Sequence, residues 1–507
     1  MVVLPDDIWH HIFAEFEDHM PLKNWRMYGA QPQLNHQGPA VLRELCLVCR
    51  QFRRIAQPLL YRTILIEGRN EEKDIQTLML RTLVENPQFG EHVRCVSIDD
   101  AVDHWWARQT LADDVVRKLI LSALRYLDLP PALTGRLRDT LTDCGLAALE
   151  VAYMPHVQFV DCTIPDMKSP LPWMLSGILG LKEQFAFPSY EDSGSWVFHD
   201  DEGYHQRQEE QISQSIPKNT FANYGFPNLT EVRIRTGDSK EGRTPAWVIE
   251  PLLLHQTLRI LRTLGTDWFG QELRDLKWPT QINYNLEYLD LTEAIIDAEG
   301  LKTVLTRCQG LRGLSIELPD SRRERDGDFD DWIIDYYKFG NILRQHGRNL
   351  EEFDLHTAEY EEDHSPGEGR LGSLRELTSL RHLKVSKDAL LGKQVEGEPS
   401  PLSFSEALPD SVETLHLHWS EHYFIESWFN FTRQVFNKDV HKLLVEDKTP
   451  NLREVRMERG YNESKENEWP AELKVGGWDV EIVDERTWQK YHSSGCVRTI
   501  VTLSKNI

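Results

Sequence analysis

The chain has 507 residues, of which 40% are hydrophobic and 27% charged, a composition that excludes a disordered chain and allows several domains or one long repeat array. Its net charge of −24 would repel a phosphate backbone and argues against nucleic acid as a partner. No run of apolar residues reaches the roughly 18 needed to cross a membrane, and a start of MVVLPDD does not suit a signal or transit peptide.

The seven cysteines are scattered singly except for Cys46 and Cys49. This sparse, odd set predicts a reducing compartment, cytoplasmic or nuclear. The charge is uneven: residues 1–66 hold seven Lys/Arg and six Asp/Glu, a balance of +1, which leaves −25 on the rest.

Residues 4–16, LPDDIWHHIFAEF, read as a helix. Pro5 suits a first turn, and Asp6 and Asp7 favour the positive end of the helix dipole. Leu4, Ile8, Ile12 and Phe16 recur at i+4 and form an apolar stripe. A second helix is expected over 41–56, with Leu45, Val48, Phe52 and Ile55 on one side and Pro58 ending it. Cys46 and Cys49 then fall inside an amphipathic helix, not at a helix start, and no second pair follows at metal-site spacing. Packing is the expectation for both.

Three short motifs carry a resemblance: Leu4-Pro5-x-x-Ile8, Leu45-x-x-Val48-Cys49-Arg50-x-Phe52, and Leu59-Leu60-Tyr61-Arg62. Together they resemble an F-box. The resemblance implies a small helical domain that docks on a Skp1-type adaptor and so joins a cullin–RING ubiquitin ligase. Carried over residue by residue, it makes Leu4, Pro5, Ile8, Ile12, Leu45, Val48, Phe52 and Leu60 adaptor-facing or packing positions. The chain departs from the family in the long segment HMPLKNWRMYGAQPQLNHQGPA, where F-box helices are usually joined more tightly.

Beyond this segment a degenerate repeat appears. LEYLDLTEAII (286–296) and LRGLSI (311–316) start 25 residues apart, separated by DAEGLKTVLTRCQG, a helix with Leu301, Val304 and Leu305 on one side. This is the strand–turn–helix unit of a leucine-rich repeat. The frame recurs as VQFVDC (157–162), LTEVRI (229–234), LEEFDL (350–355), LRHLKV (380–385), VETLHL (412–417) and LREVRM (452–457), with a weaker match in LRILRTL (258–264). YRTILI (61–66), a helix around 73–87 and VRCVSI (93–98) make an earlier strand–helix–strand unit, similar to the region that follows the F-box in many fungal F-box proteins. The asparagine of the regular families is missing at the turn, which predicts an irregular horseshoe. The polar segments 189–211, 321–332, 358–369 and 393–403 read as insertions.

In L-x-x-L-x-L strands the leucines point inward and the residues between and just after them share the other face. That face should carry Arg233, Arg235, Asp290, Thr292, Glu317, Asp354, His356, Lys384, His416, His418, Arg456 and Glu458, a candidate target-binding surface. His416 and His418 have a spacing that metals use, with Glu421 and His422 nearby. His356 is expected ~10 Å away, with the Lys384 strand and its cation between, so recognition is the expectation and no metal site. Gly367-x-Gly369-x-x-Gly372 spells a dinucleotide fingerprint, but acidic residues separate it from the preceding strand, and no cofactor is expected. There is no P-loop, nucleophile elbow or H-E-x-x-H motif, and no catalytic residue is assigned.

The sequence therefore predicts an α/β chain in two parts. Residues 1–66 form a helical F-box domain, and residues 67–507 an irregular leucine-rich-repeat-like solenoid of parallel strands and helices. The expected function is non-enzymatic: the substrate receptor of a cullin–RING ubiquitin ligase, binding the adaptor at one end and a target protein along the repeats. The alternative is a scaffold whose F-box works outside a ligase.

Overall fold

The computed structural model describes residues 4–17, 37–67, 75–99, 114–127, 143–164, 171–175, 225–236, 244–246, 249, 252–253, 255–269, 284–318, 334–357, 369–392, 402–418, 426–459, 470–487 and 496–506. The described part is mixed α/β and divides into two compact units. The insertions expected at 189–211 and 321–332, most of those at 358–369 and 393–403, and Glu421 and His422 lie outside the described residues.

The first unit opens with three helices: α1 (Asp6–Ala14), α2 (Gln37–Val48) and α3 (Arg50–Leu60). Phe13, Leu42, Ile55, Ala56 and Leu59 form their buried core, with Trp9, Phe16, Leu45, Cys46, Phe52 and Leu60 packed against it. The single helix expected over 41–56 is two helices. Cys49 takes an extended conformation and its Sγ accepts from the Phe52 N–H at 3.4 Å, capping α3. Pro58 lies inside α3 instead of ending it. Its ring sits nine residues into α3, near the end, so the helix runs on only to Leu60 and Tyr61 closes it by donating its N–H to the Gln57 carbonyl.

Five parallel strands follow in this unit: β1 (Thr63–Glu67), β2 (Cys95–Asp99), β3 (Phe159–Ile164), β4 (Glu231–Thr236) and β5 (Ile260–Leu264), each paired with the next. Helix α4 (Ile75–Glu85) links β1 to β2, and α5 (Asp114–Tyr126), α6 (Asp143–Ala152) and α7 (Leu171–Leu175) belong to the same unit. Tyr61 stacks on Phe89, with ring centroids 4.4 Å apart, so the last turn of the helical domain packs on the first strand–helix–strand unit.

The second unit holds six parallel strands: β6 (Tyr288–Thr292), β7 (Gly313–Leu318), β8 (Glu352–Thr357), β9 (His382–Ser386), β10 (Thr414–His418) and β11 (Glu454–Arg459). Two antiparallel strands finish it, β12 (Trp478–Thr487) and β13 (Cys496–Lys505), with β13 paired to β11. Helices α8 (Ala298–Arg307) and α9 (Tyr336–His346) pack side by side. They are followed by α10 (Lys387–Leu391), α11 (Phe404–Ala407) and α12 (Glu426–Glu446).

Each repeat strand begins two residues after the first residue of its motif, a leucine in most, and the hydrogen bonds explain the offset. That leucine closes a turn, as Leu350 does on Gly347 and Leu380 on Leu377. The next residue opens the ladder: the N–H of Arg312 donates to Glu287, that of Glu351 to Arg312, of Arg381 to Glu351, of Glu413 to Arg381 and of Arg453 to Glu413. The alternate apolar residues, Leu289 and Leu291 through Val455 and Met457, are buried. A strand face packed into a core reads as alternate apolar residues, and α10 packs on β9. Gly340 in α9 stands so close to the carbonyl oxygen of Leu371 that no side chain fits. Gly369 and Gly372, both at positive φ, lie in a non-helical stretch whose backbone pairs with α10: Leu371 and Gly372 donate to Ala389 and Leu390. They do not open a helix, as a dinucleotide site would require; Gly367 lies outside the described residues.

Candidate functional site

Two places collect the residues singled out by the sequence, one in each unit. In the first unit, α1 turns Trp9 and Phe13 inward, and Phe16 just beyond it packs against the same core. Trp9 and Phe13 lie 4.7 and 5.1 Å from the Phe52 ring. Ile8 and Ile12 therefore face solvent, 44% and 41% exposed. Leu47 and Val48, at the end of α2, are still more exposed. Asp6 accepts from Gln51 at 2.8 Å and pairs with Arg54, which ties the start of α1 to the first turns of α3. Val48 ends α2 two residues before α3 begins, and the start of α1 is tied to that same start of α3 through Asp6. Leu45, Phe52 and Leu60 pack partly into its core, and Leu4 is partly buried while Pro5 is exposed.

In the second unit, the polar face of the sheet carries two rows, since residues two apart on a strand share a face. One row runs Asp290, Ser315, Asp354, Lys384, His416, Arg456 in register. The other holds Glu317 opposite His356, and Ser386 opposite His418. The rings of His356 and His418 stack with centroids 4.3 Å apart, and His416 and His418 with centroids 4.7 Å apart. This overturns the expected ~10 Å separation of His356. Ser386 on the intervening strand is small, and its Oγ is turned away to accept from the Ala389 N–H and cap α10. The two imidazoles lean over the space it leaves. Lys384 lies in the other row, exposed, with Nζ 3.5 Å from Asp354 Oδ2.

Carboxylates hold the imidazoles at both ends. His356 Nδ1 lies 2.9 Å from Asp354 Oδ1 and Nε2 3.4 Å from Glu317 Oε2. His418 Nε2 lies 3.1 Å from Asp354 Oδ1 and Nδ1 3.3 Å from Glu458 Oε1. His416 Nε2 is 2.8 Å from the same Glu458 oxygen. Burial alone would push the His356 pKa down, but Asp354 and Glu317 outweigh it and raise it to about 10. Burial likewise pushes Asp354 up, yet His356 and His418 hold its carboxyl well below the usual range. Glu458 is lowered against its own burial by His416 and His418. The His416 pKa falls because its burial outweighs the contact with Glu458.

Part of the expected row does not face solvent. Arg233 and Arg235 are buried, as are Asp290, Thr292 and Glu458. Arg233 pairs with Glu231 at 2.7 Å and its guanidinium lies over the Phe159 ring. Arg235 pairs with Asp161 at 2.7 Å. These two arginines are internal ion-pair members, so the basic end expected for a binding surface is not offered by them. Alternation placed them correctly on the polar face, but it carries no signal for what covers that face. Asp354, His356, His416, His418 and Arg456 remain partly exposed, and Lys384 is exposed. Sequence reasoning missed Ser386, whose only signal was a small residue at the position after L-x-V.

Among the described residues no helix is long and apolar enough to cross a membrane. Comparison with protein-family models and with curated proteins finds no match.

Proposed function

We propose that this chain is the substrate receptor of a cullin–RING ubiquitin ligase, with α1–α3 serving as an F-box and the strand–helix units as a leucine-rich-repeat-like solenoid that holds a target protein. The observation that carries the reading is the outward display of Ile8, Ile12, Leu47 and Val48 by a small helical domain whose core is already closed by Phe13, Leu42 and Leu59. Isolated apolar residues are ordinary on a surface, but four on two short helices, Ile8 and Val48 among them at motif positions, suit burial by a partner. The polar face around His356 and His418 would then meet the target. The receptor itself makes and breaks no bond. It raises the effective concentration of a target lysine near a ubiquitin-loaded enzyme carried elsewhere in the assembly.

The test is co-expression of the full chain with a Skp1-type adaptor and a cullin. The reading expects all three to co-purify in equal amounts. Recovery of the chain free of adaptor overturns it.

A further inference from the structure

We propose that Asp354, His356 and His418 bind one divalent first-row transition-metal ion of the zinc type on the polar face of the second unit's sheet. The inference rests on that unit alone and is independent of the ligase reading.

Three features of the geometry carry it. The first is the donor set. Asp354 Oδ1, His356 and His418 offer one oxygen and two imidazole nitrogens, all within 4.8 Å of one another. Ligands about 2.0–2.1 Å from a tetrahedral ion stand about 3.3 Å apart. The oxygen lies 2.9 and 3.1 Å from the two nitrogens, a few tenths of an ångström short of that separation, and the stacked rings turn apart to aim both nitrogens at one ion. Two imidazoles with one carboxylate suit zinc and its neighbours, whereas calcium and magnesium require oxygen shells.

The second feature is what lies behind each ligand. A metal-bound imidazole nearly always donates its other N–H to a carboxylate, which fixes the tautomer and orients the ring. Both histidines have that support. His356 presents Nδ1 to Asp354 and Nε2 to Glu317, while His418 presents Nε2 to Asp354 and Nδ1 to Glu458. Glu458 is in turn held by His416 at 2.8 Å. Asp354 uses Oδ1 for the triad and leaves Oδ2 to Lys384. A second triad, His416, His418 and Glu458, is also close enough to hold an ion. It would use the His418 nitrogen that supports the first, so the two compete and the better-supported one is assigned.

The third feature is rigidity. Every ligand sits on a strand, Asp354 and His356 at consecutive polar-face positions of β8 and His418 at the end of β10, with the small Ser386 on β9 between them. Sites built on strands hold their geometry more closely than sites on loops. Three protein donors leave the fourth position of a tetrahedral ion for water or for an incoming side chain.

The test uses the full chain, stripped with a chelator, loaded with zinc chloride and dialysed. Metal analysis is expected to find about one zinc per chain in the wild type. Asp354→Asn and His418→Gln should lose it, His441→Gln in α12 should keep it, and Glu458→Gln should bind about 10- to 100-fold more weakly. A wild type that retains no zinc, or variants at 354 and 418 that retain it fully, overturns the site. X-ray absorption of the zinc-loaded wild type gives an answer that no variant's folding can disturb. Scattering from two imidazole rings supports the assignment, and an all-oxygen shell overturns it.

Discussion

Ile8 separates docking from folding, because it is 44% exposed in a domain whose core lies elsewhere. Replacing it with Asp should change the stability of the chain by no more than about 0.5 kcal/mol, the usual scale for an exposed site. Docking on the adaptor should suffer far more. Full burial of an Ile side chain stabilises by about 1.5–3 kcal/mol, and somewhat under half of that surface remains to be buried, so the lost contact is worth about 1 kcal/mol. Seating a carboxylate in the same apolar contact adds a desolvation cost of several kcal/mol. A total above about 3 kcal/mol weakens binding more than hundredfold. Ile8→Ala, which loses only the contact, should weaken it about fivefold. Titration calorimetry with the purified adaptor reads both, and melting curves check that folding is intact. If Ile8→Asp binds the adaptor as the wild type does, the helical domain is not docked through this face.

Gly340→Ala, which would stabilise an ordinary helix interior by about 1 kcal/mol, should lower the melting temperature here, because its Cβ collides with the Leu371 carbonyl oxygen; an unchanged or raised value refutes the close packing. At Cys49, whose thiol caps α3, melting should rank Ser above Cys above Ala over a span of about 1 kcal/mol, and equal melting would deny the cap. His255 is buried, with Nε2 on the Gly225 carbonyl and Nδ1 accepting from the Thr257 N–H, and its burial drops the pKa from 6.5 to about 4. The unfolded chain then binds the extra proton, so this contribution is whole above pH 6.5 and declines as pH falls towards 4. Urea unfolding should lose about 2 kcal/mol from this group between pH 7.5 and 5, a loss missing in His255→Gln, and parallel pH profiles for the two proteins would refute it.

The strands were legible because each carries its own apolar alternation, from LEYLDL to LREVRM, and that pattern needs no knowledge of distant residues. Their starts were displaced by two because the first leucine of the motif belongs to the preceding turn. The break at Cys49 was not legible. The apolar spacing of Leu45, Val48, Phe52 and Ile55 runs through it, and only the backbone shows that the thiol ends one helix and caps the next. The histidine cluster was half legible. Alternation put His356, His416 and His418 on one face, but their contact depends on a gap over Ser386, a residue that reads as featureless in the sequence. The burial of Arg233 and Arg235 was hidden too: alternation fixes which face a residue takes, but not that Glu231 and Phe159 hold one guanidinium and Asp161 the other.

The central claim is that one part of this chain captures a target and another delivers it to a ligase. The most direct measurement compares cells expressing the full wild-type chain with cells expressing Ile8→Asp, identifying captured proteins and their ubiquitinated lysines by mass spectrometry. The account predicts the same captured protein in both, ubiquitinated with the wild type alone. Equal ubiquitination in both, or a captured protein that carries no added ubiquitin in either, would contradict it.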